Sequence, residues 1–197
     1  MQDVSVVMED MTTSMKHVTK AKPIIEKLMN GGELLAVEGN DNGVCRVLDV
    51  TCGTDYIHVY REYGIVYGVA SRFQNFDPDR ARRPYNTFTV RKARESGART
   101  EYEKRKTAIE RGGMYPFLTM QAYVNTKDKE VESLAICKTT DLMEYVDGGY
   151  ADENCTRYDK VGQAAFYIVD WVDFGKRYKL LYYERPDNKW NTGHATA

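Results

Sequence analysis

The stretch from Thr51 to Gln74 restricts the fold of this chain more than any other. Two runs rich in Tyr, Val and Ile, Thr51–Tyr60 and Gly64–Gln74, flank the short break Arg61-Glu62-Tyr63-Gly64. β-branched and aromatic residues on either side of a glycine-containing turn predict a β-hairpin. Asp55 heads the first run and Arg72 sits inside the second. Side chains alternate along a strand, so the hairpin predicts Asp55 and Arg72 on neighbouring strands with one shared face. Gln74, two residues beyond Arg72, falls on that face too, where its amide can hydrogen-bond a phosphate or a base.

The rest of the chain alternates between helix and strand signals. Thr12-Thr13-Ser14 offers N-caps for a helix over 14–29, with Pro23 either starting or kinking it and Asn30-Gly31-Gly32 ending it. Residues 33–38 read as a short strand. Asn42-Gly43 closes a turn, and 44–50 read as the next strand. Residues 75–87, with an Asp-Pro-Asp turn, form a loop, and 87–91 favour a strand. Thr100 and Glu103 have capping-box spacing and open a helix over 98–111, which Gly112-Gly113 ends. Strands are expected over 114–124 and 133–138, then a helix capped by Thr140 and an acidic loop over 147–160. A hairpin over 164–172 and 177–184 turns at 173–176. One globular domain over 1–185 follows, with a disordered tail over 186–197. The expected class is α+β, a central mixed sheet flanked by helices.

Charge is unevenly spread. The net charge is −1, yet residues 80–111 hold eleven basic and four acidic side chains. Such a block suits phosphates. Arg91, Lys92, Arg94 and Arg99 follow Phe88 closely and are the candidate nucleic-acid contacts, since guanidinium forks grip phosphate and aromatics stack on unpaired bases. The alternative is a solvated helix whose acids and bases pair. The four cysteines form no C-x-x-C pair and only three histidines exist, His17, His58 and His194, which argues against a structural zinc site. No apolar run approaches 18 residues, and nothing at the N-terminus reads as a signal peptide. Buried thiols in the cytoplasm and no membrane association are expected.

The order helix, meandering strands, helix, strand, together with Gly53-Thr54-Asp55-Tyr56-Ile57, resembles the PD-(D/E)xK superfamily of restriction-endonuclease-like and Holliday-junction-resolvase-like nucleases. The resemblance covers residues 14–125. It implies a restriction-endonuclease-like core, a Mg²⁺ or Mn²⁺ cofactor and a DNA substrate. It places the first metal-binding acid at Asp55. The second acid and the lysine belong on the next strand, where this chain has Ala70-Ser71-Arg72. Glu26 on the first helix is the nearest match to the family's helical glutamate. Asp49, of the same strand parity as Asp55, and Glu38 are acids that could replace the missing carboxylate. Mg²⁺ needs oxygen ligands, and an arginine is a poor proton acceptor. The departure therefore favours binding over hydrolysis. A tyrosine-rich hairpin also resembles the GIY-YIG nucleases, but the Gly-Ile-Tyr order is broken.

The leading expectation is thus a nucleic-acid-binding protein of nuclease-like fold, with an eroded metal-dependent phosphodiesterase site at Asp55, Arg72 and Gln74. A homodimer is compatible with it. The competing expectation is a non-enzymatic inhibitor or adaptor that binds protein through a tyrosine-rich surface.

Overall fold

The computed structural model describes residues 17–37, 42–81, 83–94, 97, 99–151 and 164–186. The expected N-terminal arm, the acid Glu38 and the expected tail beyond Pro186 lie outside these residues.

The fold is α+β. A six-stranded mixed sheet contains β1 (Glu33–Ala36), β2 (Tyr56–Tyr60), β3 (Ile65–Phe76), β5 (Leu118–Asn125), β6 (Val131–Lys138) and β8 (Leu181–Glu184), in that spatial order. β1, β2 and β3 form an antiparallel meander, β3 and β5 run parallel, and β5, β6 and β8 are antiparallel. A separate ribbon pairs β4 (Thr87–Arg94) with β7 (Ala164–Asp170). The expected hairpin forms in part: β2 and β3 pair from Tyr56↔Val69 to Tyr60↔Ile65 around the turn at 61–64, but its first strand starts at Tyr56 and not at Thr51, which lies in a π-helical turn.

Each sheet face has its own core. Helix α1 spans residues 17–28 and passes through Pro23 without a break. Its Ala21 and Ile25 cover Leu34, Tyr56, Val69, Leu118, Met120 and Ile136. On the other face lie Phe88 and Val90 of the ribbon, α4 (Thr139–Asp147) with Leu142 and Tyr145, and α5 (Trp171–Gly175) with Trp171 and Phe174. α3 (Glu101–Glu110) opens with the expected capping box: Thr100 and Glu103 each accept from the other's backbone N–H.

Three expectations need correction. Residues 44–50 form no strand. They are α2 (Gly43–Val47) and a π-helical turn, Leu48–Cys52. The Asn42 side chain accepts the Val44 N–H at 2.9 Å, and this local cap outweighs the β preference of the valines. The last hairpin does not form either. Asp170 accepts from the Val172 and Asp173 N–H groups and starts α5, so β7 joins the ribbon and β8 joins the main sheet. Thr140 is not the cap of α4; Lys138 holds that position with no side-chain bond.

Candidate functional site

Asp55 closes the top of the meander. Its N–H donates to the Val69 carbonyl and its carbonyl accepts from Val37 N–H. The β2–β3 ladder stops at Tyr56↔Val69. There the Asp55 Oδ2 accepts the Ser71 N–H at 2.5 Å. The side chain thus takes over where the ladder ends. Strand parity places Asp55 on the side of Ala70 and Arg72, away from α1, because Tyr56 and Val69 belong to the α1 core. Ala70 is buried and offers no ligand.

Arg72 does not pair with Asp55 across the hairpin. Its Nη2 donates to both carboxylate oxygens of Glu101, each at 2.9 Å, and its Nη1 donates to Thr89 Oγ1 at 3.1 Å. Glu101 is the first residue of α3, where a negative charge also complements the helix dipole. The same carboxylate accepts the Arg91 N–H at 3.2 Å. Burial pushes the Glu101 carboxyl up, but the charges of Arg72 and Arg105 and the Arg91 N–H outweigh it and hold it at about 2. Three arginines therefore surround one carboxylate. Arg105 is buried. Arg72 and Arg91 both lie over the Phe166 ring, 5.1 and 5.5 Å from its centroid. Burial lowers the Arg91 pKa, with the Arg72 and Arg94 charges adding to it, and its Nε is buried without a protein hydrogen-bond partner.

A second polar group supports this cluster from below. Gln121 stands beside Arg72 in the parallel β3–β5 register and is 1% exposed. Its Oε1 accepts from the Thr89 N–H at 2.8 Å and from Thr89 Oγ1 at 3.1 Å. Tyr123 Oη donates to the Thr87 carbonyl at 3.2 Å. These β5 side chains act as a ladder would, tying β4 across the main sheet and so setting Thr89 against Arg72.

The remaining candidates are scattered. Gln74 stays on the Arg72 face, in register with Tyr123. Lys92, Arg94 and Arg99 are exposed. Lys92 lies 4.8 Å from the Tyr167 ring centroid, and Arg99 Nη2 donates to the Glu103 carbonyl at 3.5 Å. Asp49 sits in the π-helical turn and not on a strand, so it does not share a strand face with Asp55. Burial raises its pKa, and Lys104 partly opposes this. Glu26 belongs to α1, on the opposite side of the sheet, with Lys22 at 3.7 Å. Glu38 lies outside the described residues. Among the described residues no three His, Cys, Asp or Glu side chains gather into a metal-ligand group. Among the described residues, then, Asp55 has no second carboxylate of the notional two-acid set beside it.

Sequence reasoning missed Glu101, Gln121 and Arg105. Glu101 looked like an ordinary first-turn acid beside the capping box. Gln121 is a long polar side chain between Met120 and Ala122 in the middle of a largely apolar strand, and that interruption is the one signal that could have marked it.

No protein family, curated protein or solved structure matched the chain.

Proposed function

We propose that this protein binds nucleic acid through its Arg72–Arg91 face, on a scaffold of the PD-(D/E)xK kind whose hydrolytic site is eroded. The observation that carries the reading is the convergence of Arg72, Arg91 and Arg105 on the single carboxylate of Glu101. The excess positive charge is partly sheltered, and a guanidinium in such a place is a strong partner for phosphate. Exposed Lys92, Arg94 and Arg99 extend the positive surface along β4 and toward α3. The scaffold reading is supported by the order α1, three meandering strands, α3 and a strand parallel to β3, with Asp55 just before the middle strand. It departs from that pattern in the α2 turn and in the β4–β7 ribbon. Asp55 is the carboxylate left to a Mg²⁺ or Mn²⁺ ion, while Ala70 and Arg72 stand where an acid and a lysine would serve hydrolysis.

The test is binding of single-stranded, duplex and branched DNA and of RNA across a salt series, with and without Mg²⁺ or Mn²⁺. Expected is salt-dependent binding and no cleavage. Reversing Arg91, Lys92 and Arg94 to glutamate should weaken binding and flatten the salt slope by about 0.9 for each duplex phosphate that the variant no longer neutralises. Absence of affinity for every nucleic acid at low salt overturns the reading in favour of a protein-binding adaptor. Metal-dependent cleavage that Asp55→Asn abolishes would show the site intact instead of eroded.

A further inference from the structure

A cleft of about 320 Å³ opens on the α1 face of the sheet, beyond the end of α1, where the described residues leave the ends of β2, β3 and β5 nearest Met29 uncovered. This size is at the small end of the roughly 300–1,000 Å³ range of small-molecule sites. Four aromatic rings line it. Tyr67 and Phe117 stack at 4.9 Å and 17°, Tyr60 meets Tyr67 edge-on at 84°, and Tyr63 lies tilted to Tyr60 at 6.5 Å. Tyr63 is 68% exposed, with its ring available to a ligand. Lys138 and Lys179 are exposed in the same lining, and among the described residues no Asp or Glu belongs to it. Lys138 lies 6.0 Å from the Phe117 ring centroid. The Tyr60 hydroxyl is taken up by the Met29 carbonyl.

We propose that this cleft binds a nucleoside monophosphate unit. The base packs among the aromatic rings and the phosphate is held by Lys138 and Lys179. Flat apolar walls favour a planar ring, and two cations without a nearby acid in the lining favour an anion. Every base has a π-face, so stacking accepts them all and discriminates little. The site is separate from the Arg72–Arg91 face, because its walls lie on the other side of the sheet, and it does not depend on the function proposed for that face.

The experiment titrates the full chain at low salt with AMP, UMP and decanoate, followed by calorimetry. Expected is binding of both nucleotides within about fivefold of each other. Tyr63→Ala, in an exposed turn, should weaken both by roughly five- to a hundredfold. Joint replacement of Lys138 and Lys179 by glutamate should remove the salt dependence. The Arg91, Lys92, Arg94 charge reversal should leave AMP affinity unchanged. A 5′-phosphorylated tetranucleotide tells the two sources apart: tighter, Tyr63-dependent binding than AMP assigns the end of a strand, and equal binding assigns a free nucleotide. Decanoate binding without nucleotide binding overturns the proposal. So do insensitivity to Tyr63→Ala and loss of AMP affinity in the arginine-face variant.

Discussion

The two faces of the central sheet are built on different principles although they share every strand. Under α1 the buried cluster is largely aliphatic, with Ile25, Leu34, Val69, Met120, Leu134 and Ile136, and His58 is a buried polar group on the same side. Behind the ribbon the core is aromatic, and at its Arg72 end it becomes a polar network of Gln121, Thr89, Arg72 and Glu101. An apolar face gains stability from each buried group nearly independently. A polar network must be satisfied as a whole, since one lost partner strands the others in a poor solvent. The first face should therefore answer to volume and the second to pairing.

The largest effect expected is on the apolar face. Leu134 is fully buried, and Leu134→Ala should cost about 2–5 kcal/mol, the lost transfer energy plus an unfilled cavity. Denaturant midpoints measure it. Because the groups around Leu134 are hydrocarbon, no second substitution on the Arg72 face should restore the loss.

Glu101→Ala gives the opposite pattern. Removing one partner of a buried ion pair costs about 3–5 kcal/mol. The Glu101 side chain is 30% exposed, so about 2 kcal/mol is expected after allowing for solvent. Here a second change should help: adding Arg72→Met removes the arginine that hydrogen-bonds the carboxylate and should recover part of the loss, while Arg91 and Arg105 stay without their counter-ion. A double-mutant cycle checks this. If the two losses simply add, the network is not a unit and the contrast between the faces fails. The single Glu101→Ala variant should also bind nucleic acid more tightly and with a steeper salt slope, because three arginines lose their internal counter-ion.

Acid should strip the two faces in sequence. His58 belongs to the α1 side, fully buried, and neither ring nitrogen makes a well-formed hydrogen bond. Burial lowers its pKa from 6.5, with the Gly31 backbone and the Glu26 charge opposing. The unfolded chain then binds the proton that the folded one refuses, and stability falls as the pH drops below about 6.5. Glu101 works lower down. Its folded value of about 2 lies below the ordinary 4.5. Its contribution, on the order of 2 kcal/mol, is complete above about 4.5 and is lost as the pH falls toward 2. His58→Leu should shrink the first loss and leave the second unchanged, and Glu101→Gln should do the reverse, read from stability against pH; His17 and the other paired carboxylates keep part of each.

How much of this was legible in the sequence also divides by face. The β2–β3 hairpin and the capping box were readable, because alternation and cap spacing are local signals. So was the parity of Asp55 and Arg72. The partner of Arg72 was not. Glu101 lies 29 residues away and meets Arg72 only because α3 returns to the sheet after the β4 strand. The fate of residues 44–50 was hidden for the reverse reason. One Asn42 side chain, bonded two residues on, redirected a run of valines that tertiary pairing would otherwise have used. Asp49 left the strand with it, and so did one of the acids offered in place of the missing carboxylate; Glu38, another, lies outside the described residues.

The smallest effect tests whether local helix chemistry feeds the arginine face. Thr100 Oγ1 accepts the Glu103 N–H at 3.2 Å, and Glu103 Oε2 accepts the Thr100 N–H at 2.7 Å. Thr100→Ala should cost about 1 kcal/mol, the usual value of an N-cap. Asp170→Ala at the start of α5 should cost a similar amount, since Asp170 also caps through its side chain. The two losses should differ in their consequences. Glu101 is the first residue after the Thr100 cap, so fraying there loosens its hold on Arg72 and should raise nucleic-acid affinity slightly, in the direction of Glu101→Ala. α5 contributes Trp171 and Phe174 to the aromatic core and no charge to the arginine cluster, so Asp170→Ala should leave binding unchanged. Thr100→Ser restores the cap oxygen and should return both stability and affinity to their starting values. Equal binding changes from Thr100→Ala and Asp170→Ala would mean that affinity follows global stability and not the position of one carboxylate.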